Sequence, residues 1–580
     1  MRPHHRIVWV GLMLVAMFDF GFALEVADRL PLGHPDFVPT PARPVGWRGD
    51  GTGIYPGATP VADWDLTSKR NVVWQTRMPF FSAAGPIVVG DRVFTTGEPD
   101  LLICVDARTG KELWRQHCAV FMEKLPQTER DRLYGNCEKL LNAGDAWMRW
   151  PVDDLHQNEM KSFWYDGRVD RRYGADHDEA IRKMAVERKV DLDSLRTMFA
   201  EVGRTGQKNQ PPLKTPDQKG LLGDQDYIWY GNCAATPASD GANVVVQVGT
   251  HHSPTGWGYL LCFDIEGRRK WATEVGQNGN WAANFSSPLI VQGKVICANR
   301  RTRGQDRNGK MIDNADGVGA YDLATGAQVW SVPAAQSCSS PIAFAIDGVQ
   351  LVHYASMIML PADGSIVCDL RGYFGADVDT PVVDGDRFLG RGAEGKHFEA
   401  NKDAQGRSCC SAVLKLTWKT KGRELVFETL WKAPREDRFF LSSNWHRSSP
   451  LLTGSWILCA RGAPVPNLFR YDFREDPVPG QPFSRYEVKL DKAQAVRDPK
   501  GRQYGPPAED LISVSLAGRL IFSGTSVFPT QFLVSSAPPE FKIAGAPVLD
   551  CWAVGAPFFQ GGRMYVRDYR YLYCLLSIHI

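Results

Sequence analysis

Three sets of residues in this chain are of types that do chemistry. Seven polar side chains, Asn232, Asn284, Asp377, Asp379, Asn444, His446 and Arg447, each stand a few positions before a step from a small residue to proline. Gathered in one place, such amides, carboxylates and cations would bind a small anion, a sugar or a peptide; scattered, they would cap strands and satisfy loop backbone groups. His251-His252 lies in an extended hairpin from Thr250 to Gly258. Adjacent residues of a strand point to opposite faces, so these imidazoles suit a single metal poorly and read as a surface loop. Cys409-Cys410 is the one adjacent pair of cysteines, and it runs into Ser411-Ala412-Val413-Leu414-Lys415-Leu416, a plain strand pattern. No metal-ligand set is expected, because the 13 cysteines include no C-x-x-C. That excludes zinc-ribbon spacing and c-type haem attachment. No G-x-S-x-G, H-E-x-x-H or P-loop pattern occurs, so no catalytic residue can be named.

The elements that must position these groups come from a repeat. A small residue and Pro open an apolar strand; a Gly turn and a second apolar strand follow. The unit closes with an aromatic residue or Cys, then Asp, a Thr-Gly turn and Trp. The first copy opens at Gly85-Pro86 and closes with Asp106, Thr109-Gly110 and Trp114. The second opens at Thr236-Pro237 and closes with Asp264, Gly267 and Trp271. The third opens at Ser287-Pro288 and closes with Asp322, Gly326 and Trp330. Further openings stand at Ser340-Pro341, with a degenerate ending, at Thr380-Pro381, ending near Trp431, and at Ser449-Pro450, continuing to Tyr471-Asp472. A faint seventh copy surrounds Leu511 to Ile521, and an eighth opens at Ala556-Pro557 and stops near Leu575. The spacing from Pro237 through Pro381 is 40 to 53 residues, the size of a four-stranded propeller blade. Each Asp-x-x-Thr-Gly run is a tight turn, not a phosphoaspartate site, and each terminal Trp offers a flat surface to the next blade.

The eighth copy lacks its Trp strand, while an orphan one, Asn71-Val72-Val73-Trp74-Gln75, precedes the first. The N-terminal strand is therefore expected to complete the last blade and close the ring. Residues 119–227 interrupt the repeat with charged, helically spaced segments at Ala180 to Arg188 and Leu192 to Val202, the latter capped by Asp191. They read as a mainly helical insertion between blades one and two, over one end of the propeller. Cys118, Cys137 and Cys233 surround it and could pair in several ways. Residues 475–510, polar and Pro-rich, read as an extended surface loop.

The N-terminus reads as a signal peptide over residues 1–23. Arg2 and Arg6 precede an apolar run from Ile7 to Phe18, and Gly21-Phe22-Ala23 places small residues at a cleavage site. About a dozen apolar residues are too few to span a bilayer, so no stable membrane span is expected after cleavage, and the compartment is periplasmic or otherwise exported. The remaining plan is a lead-in at 24–70, the closing strand and first blade at 71–118, the insertion, and the other blades at 228–580. A net charge of +2 over 580 residues gives no reason to expect nucleic acid as a partner.

On Asp106 to Trp114, Tyr321 to Trp330, the Ser-Ser-Pro openings and the segment Trp47-Arg48-Gly49-Asp50-Gly51-Thr52-Gly53, the chain resembles the quinoprotein-like, PQQ-binding-like β-propeller repeat proteins of the bacterial cell envelope. The resemblance covers about residues 45–578, with its weakest fit at 119–227 and 475–550. It implies an all-β, eight-bladed propeller. Catalytic members hold pyrroloquinoline quinone and calcium over the channel, with a nearby Asp as base, and many set a vicinal disulfide against the cofactor. That pair falls early in their ring, whereas Cys409-Cys410 falls in the fifth blade, so PQQ and calcium are possible cofactors and none is assigned. Three functions follow as expectations: a binding or scaffold module for a small ligand or envelope protein; a PQQ-dependent dehydrogenase of alcohols or sugars; and a propeller like the subunit of the outer-membrane barrel-assembly machinery. Against the last, no Cys precedes Cys104, so a lipoprotein anchor has no attachment site.

Overall fold

Each repeat in the computed structural model is an antiparallel four-stranded sheet, and eight such sheets follow one another along the chain. The structure describes residues 30–79, 82–132, 134–135, 177–188, 191–193, 196, 233–249, 258–276, 286–305, 311–334, 339–374, 380–391, 411–432, 449–462, 466–474, 485–489, 511–525, 530–550, 555–568 and 570–577. The innermost strands, in blades one to eight, are Ile87–Val89, Ala238–Ser239, Leu289–Val291, Ile342–Ile346, Val382–Asp384, Leu451–Thr453, Leu511–Ala517 and Phe558–Gln560. All of them run from the end where the Pro steps stand, called here the opening end, towards the far end.

Val72–Arg77 pairs antiparallel with Tyr571–Leu575 and supplies the outermost strand of blade eight, with Trp74 opposite Cys574. No blade is therefore left short at the junction of the chain ends. The faint seventh copy is a complete sheet from Leu511 to Gly545, and Ile54–Tyr55 of the lead-in adds to its inner edge as a fifth, parallel strand. The degenerate ending of blade four still forms its fourth strand, Ile366–Asp369, without a Trp. One expectation is corrected: the span 475–510, read as loop, contains Arg485–Lys489, the fourth strand of blade six. Its sequence RYEVK alternates as a strand does, but it is short, lacks the closing Trp and stands within a polar, Pro-rich stretch, which hid it.

Cys104, Cys262, Cys297 and Cys574 are buried strand residues, as small apolar side chains would be. Cys118 and Cys233 are buried thiols in the structure, and Cys137 lies outside the described residues. Of the insertion, a 3₁₀ turn at Val120–Lys124 and a helix at His177–Arg188 are described. Ala180, Ile181, Met184 and Ala185 of that helix join the largest core cluster, beside Cys118, Met122 and Cys233. Among the described residues no helix is long and apolar enough to cross a membrane.

Candidate functional site

The polar ring expected at the channel mouth, Asn232, Asn284, Asp377, Asp379, Asn444, His446 and Arg447, lies outside the described residues, as do His251-His252 and Cys409-Cys410. What is described at the opening end is the step into each innermost strand. There the residue before Pro does more than start a strand. Gly85 N–H donates to Thr236 Oγ1 (3.1 Å), Thr236 N–H to Ser287 Oγ (3.0 Å), Ser287 N–H to Ser340 Oγ (2.9 Å) and Ser340 N–H to Thr380 Oγ1 (2.8 Å). Ser449 Oγ then donates to the Thr380 carbonyl (3.0 Å), and Ser449 N–H to Ser513 Oγ (3.1 Å). At five seams a hydroxyl thus satisfies a buried amide of the neighbouring blade, which would otherwise cost about 1–3 kcal/mol. Between blades eight and one the hydroxyl gives way to contact of backbone on backbone: a Cβ on Gly85 would lie 2.6 Å from the Ala556 carbonyl oxygen.

Both roots of the insertion emerge at this same end, beside the seam of blades eight and one. The turn Glu98-Pro99-Asp100 of blade one holds them. Glu98 Oε1 accepts from Cys233 N–H (2.9 Å), and Asp100 Oδ2 accepts from Cys118 N–H (3.2 Å), Ala119 N–H (2.9 Å) and the Tyr134 hydroxyl (3.0 Å). Asp100 Oδ1 lies 2.8 Å from His117 Nδ1. Across the seam, the buried Arg567 guanidinium donates to Thr95 Oγ1 (2.9 Å) and to the Thr96 carbonyl; burial lowers its pKa to about 10. Asp568 accepts from the Tyr573 hydroxyl (2.6 Å) and from the amides of Arg570 (2.8 Å) and Tyr571 (2.7 Å), while burial raises its pKa to about 6. These carboxylates are bound to backbone and phenol groups, so they fasten the insertion and the ring closure.

The other end of the axis is filled by the chain itself. The lead-in crosses the far end of several blades: Gly561 N–H donates to the Gly33 carbonyl, Thr59 N–H to that of Gly561, and Gln560 Nε2 to that of Phe37. From there it rises as a finger along the axis. Val45 bridges Ser239 of blade two, and a Cβ on Gly51 would meet Ile342 of blade four. Arg48 donates to the carbonyls of Pro450 (3.0 Å) and Val514 in blades six and seven. Tyr55 packs edge-on against Phe558 and Phe559 of blade eight. An eleven-residue segment that touches the innermost strands of five blades must lie on the ring axis. Burial brings the pKa of Arg48 down to about 10, with Tyr55 and Asp50 opposing that shift. At the tip, Asp50 Oδ1 accepts from Thr52 N–H (3.0 Å) and Thr52 Oγ1 (2.5 Å). The sequence reading used this segment only as a mark of resemblance. Its signal was present in the alternate glycines Gly49, Gly51 and Gly53, all at positive φ, which let a tight finger form.

A quinone with calcium needs several hard oxygen donors converging on the channel. Among the described residues no three His, Cys, Asp or Glu side chains are grouped to hold a metal ion. The carboxylates described near the seam are bound as above, and the finger occupies the axis. The described residues do not fit that pair.

Residues 64–147 match the profile of a PQQ-like repeat family described as outer membrane protein assembly factor BamB. No curated protein matches the sequence. Among solved structures, BamB from Moraxella catarrhalis is 13% identical, with 59% of this chain and 82% of that chain covered and a TM-score of 0.34. Quinohemoprotein alcohol dehydrogenase from Comamonas testosteroni is 11% identical over 92% of this chain and 80% of that one, with a TM-score of 0.39. The corresponding ADHIIG enzyme from Pseudomonas putida HK5 is 12% identical over 93% and 81%, with a TM-score of 0.40. The chain is a propeller of eight sheets that carries a PQQ-like repeat at residues 64–147. Nothing about its activity follows from these likenesses.

Proposed function

We propose that this protein is an exported binding or scaffold propeller of the cell envelope, which receives a small ligand or a protein partner at its opening end. The observation that carries the reading is the axial finger. With residues 30–60 laid across the far end and Arg48 locked between blades six and seven, the chain itself closes the far end of the channel, which leaves the opening end to receive a partner. The insertion roots stand at that end, and the described strand openings are spent on joining blades. Export rests on Arg2, Arg6, the run from Ile7 to Phe18 and the small residues Gly21 and Ala23.

Fractionation of cells expressing the full chain should recover it in the periplasm with its N-terminus near residue 24; retention in the cytoplasm with Met1 intact would reject export. Purified protein incubated with pyrroloquinoline quinone and calcium should take up no quinone absorbance and oxidise no alcohol with an artificial dye. Dye-linked oxidation under those conditions would replace this reading with a dehydrogenase. A second reading, an outer-membrane assembly factor, is favoured by the profile match over 64–147. Deleting the gene should then lower the level of outer-membrane barrels, and unchanged levels would remove it.

A further inference from the structure

The two ends of the insertion meet on one turn. Cys118 continues the fourth strand of blade one and stands opposite Asp100. Its N–H donates to the Asp100 carbonyl (2.8 Å) as well as to Oδ2 (3.2 Å). Cys233 lies just before the Thr236-Pro237 opening of blade two. Its N–H donates to Glu98 Oε1 (2.9 Å), and its carbonyl accepts from Ser82 Oγ (2.7 Å) and Thr96 Oγ1 (2.6 Å). Both backbones are thus fixed to the turn Glu98-Pro99-Asp100, although the whole insertion separates them in the chain.

Both thiols are fully buried and belong to the same core cluster. Each Sγ lies 3.7 Å from a carbonyl, Cys233 from that of Pro99 in the turn and Cys118 from that of Gln116. Contacts of that kind are weak, so little is lost when both protons leave. The sulfurs also feel each other. Burial first, then the Glu98 carboxylate and the Cys118 sulfur, push the Cys233 thiol well above the ordinary range. Burial also pushes up Cys104, Cys262, Cys297, Cys368 and Cys574, but no second sulfur is among the groups that shift them.

We infer that Cys118 and Cys233 are a disulfide site, whose single bond staples the two roots of the insertion together beside the seam of blades eight and one. In the structure both residues are thiols, and the bond forms by their oxidation. One cysteine attacks the disulfide of an oxidant, an oxidised thiol oxidoreductase or glutathione disulfide, and releases the oxidant's first thiol. The other cysteine attacks the mixed disulfide and releases the second. Two electrons and two protons pass from the pair to the oxidant. The site rests on the reading of the chain as exported, because oxidants of this class act outside the cytoplasm. Burial and the nearby Asp100 and Glu98 carboxylates disfavour the attacking thiolate in the folded protein. The bond therefore forms while the insertion is still folding, and burial then shields it from reductants.

The test replaces residues 1–23 by a leader of known export, so the chain meets that oxidant whatever its own N-terminus directs. Free thiols are trapped with N-ethylmaleimide at lysis, and the purified chain is digested with trypsin without reductant. The peptide Gln116–Lys124 should be joined to the peptide that carries Cys233, two hydrogens lighter than the separate pair. Dithiothreitol should part them. Maleimide on both cysteines, or either one joined to Cys137 or to any other cysteine, would overturn the inference. Cys118→Ser, Cys233→Ser and the double variant should each be cut within the insertion at least about threefold sooner than wild type in limited proteolysis. The double variant should be cut no sooner than either single, because the same bond is lost in all three. Additive losses would assign both residues to packing alone. If the serine variants do not accumulate, the digest of the wild-type chain still decides. Free thiols there leave the export reading standing, since fractionation of the chain with its own N-terminus decides that.

Discussion

The seams from blade eight round to blade four differ from those between blades four and eight, and the difference separates what repeats from what merely closes a ring. In the first arc a Trp of each fourth strand donates its indole N–H to the turn of the next blade: Trp74 to Ala107 (3.1 Å), Trp114 to Ile265 (3.2 Å), Trp271 to Leu323 (2.8 Å) and Trp330 to Pro361 (3.1 Å). Under each ring lies the turn glycine, Gly110, Gly267, Gly326 or Gly364. Among the described residues the second arc is more varied: Trp431 of blade five packs against Tyr471 of blade six, with ring centres 6.1 Å apart. Trp418 of blade five donates backwards to Ile346 of blade four (3.1 Å), and Arg387 reaches the Gly454 carbonyl of blade six. Arg470 stands between Trp456 and Phe541, 5.1 and 4.0 Å from the ring centres, joining blades six and seven. Inside, however, hydroxyl links run from blade one to blade seven without regard to this division, to an amide at every seam except that of blades five and six, where Ser449 Oγ donates to the Thr380 carbonyl. Inner-strand geometry is dictated by the ring, whereas the outer seam is free to change its chemistry.

The sharpest way to break this comparison is a pair of identical substitutions. Gly326 and Gly422 both sit at φ 73°, each in the turn before a fourth strand. A Cβ on Gly326 would lie 2.6 Å from Trp271, whereas one on Gly422 would meet nothing within 4 Å. Gly422→Ala should therefore cost only the left-handed strain, about 1–2 kcal/mol. Gly326→Ala adds displacement of the indole and should cost about 3–4 kcal/mol. Urea denaturation of the two variants measures this, and equal losses would mean that Trp docking does not hold the first arc.

The second arc has a different keystone. Arg48→Met removes the donor to Pro450 and Val514 and leaves both carbonyls unmet, at about 2–3 kcal/mol. Limited proteolysis should then cut within residues 30–60 sooner than in wild type, while G326A should leave that segment protected. The inner ring predicts no such asymmetry. Ser340→Ala in the first arc and Ser513→Ala in the second each orphan one amide, so each should cost a similar amount, about 1–2 kcal/mol. A threefold difference between them would show that the inner links are not equivalent.

These contrasts also explain what was legible in the sequence. The eight blades, the closing strand carrying Trp74 and the position of the insertion could be read because Pro, Gly, Asp and Trp have strict backbone or packing duties in a repeat. Blade six's last strand was missed because RYEVK carries no Trp and little apolar signal. The serine and threonine before each Pro were read as strand starts; that their hydroxyls serve the neighbouring blade depends on pairing residues 40 to 151 positions apart, which no local pattern displays. Asp50 was passed over as part of a glycine-rich lead-in. Its placement on the axis depends on contacts with Ile342, Pro450 and Val514, all far away in the chain.

The two regions should also part company in acid, by smaller amounts. In the Trp-docked arc, the turn carboxylates Asp106 and Asp322 accept from Thr109 and Thr325 side chains and amides, and these bonds lower their pKa values. Carboxylates held below the unfolded value stabilise the fold above that value and lose the contribution as pH falls through the depressed one. The blade-five turn at Lys421-Gly422 has no Asp, and in the second arc the lowered carboxylate is that of Asp472 in blade six, held by the Arg474 side chain. Asp568 has the opposite sign. Its folded value of about 6 lies above the unfolded one because burial disfavours the charge, so the folded state binds the extra proton. Stability should accordingly rise as pH falls from about 6 to about 4, then decline below that as the turn aspartates protonate. Asp568→Asn cannot ionise and should flatten the upper limb alone. The double variant Asp106→Asn, Asp322→Asn keeps the turn acceptors without charge and should make the lower limb shallower, with Asp264, Asp363, Asp369 and Asp472 supplying the remainder, while the upper limb is unchanged. Denaturation midpoints from pH 3 to pH 7 distinguish the two; an upper limb unchanged in D568N would assign that slope to other groups, and with it the penalty of burying a carboxylate at the ring closure.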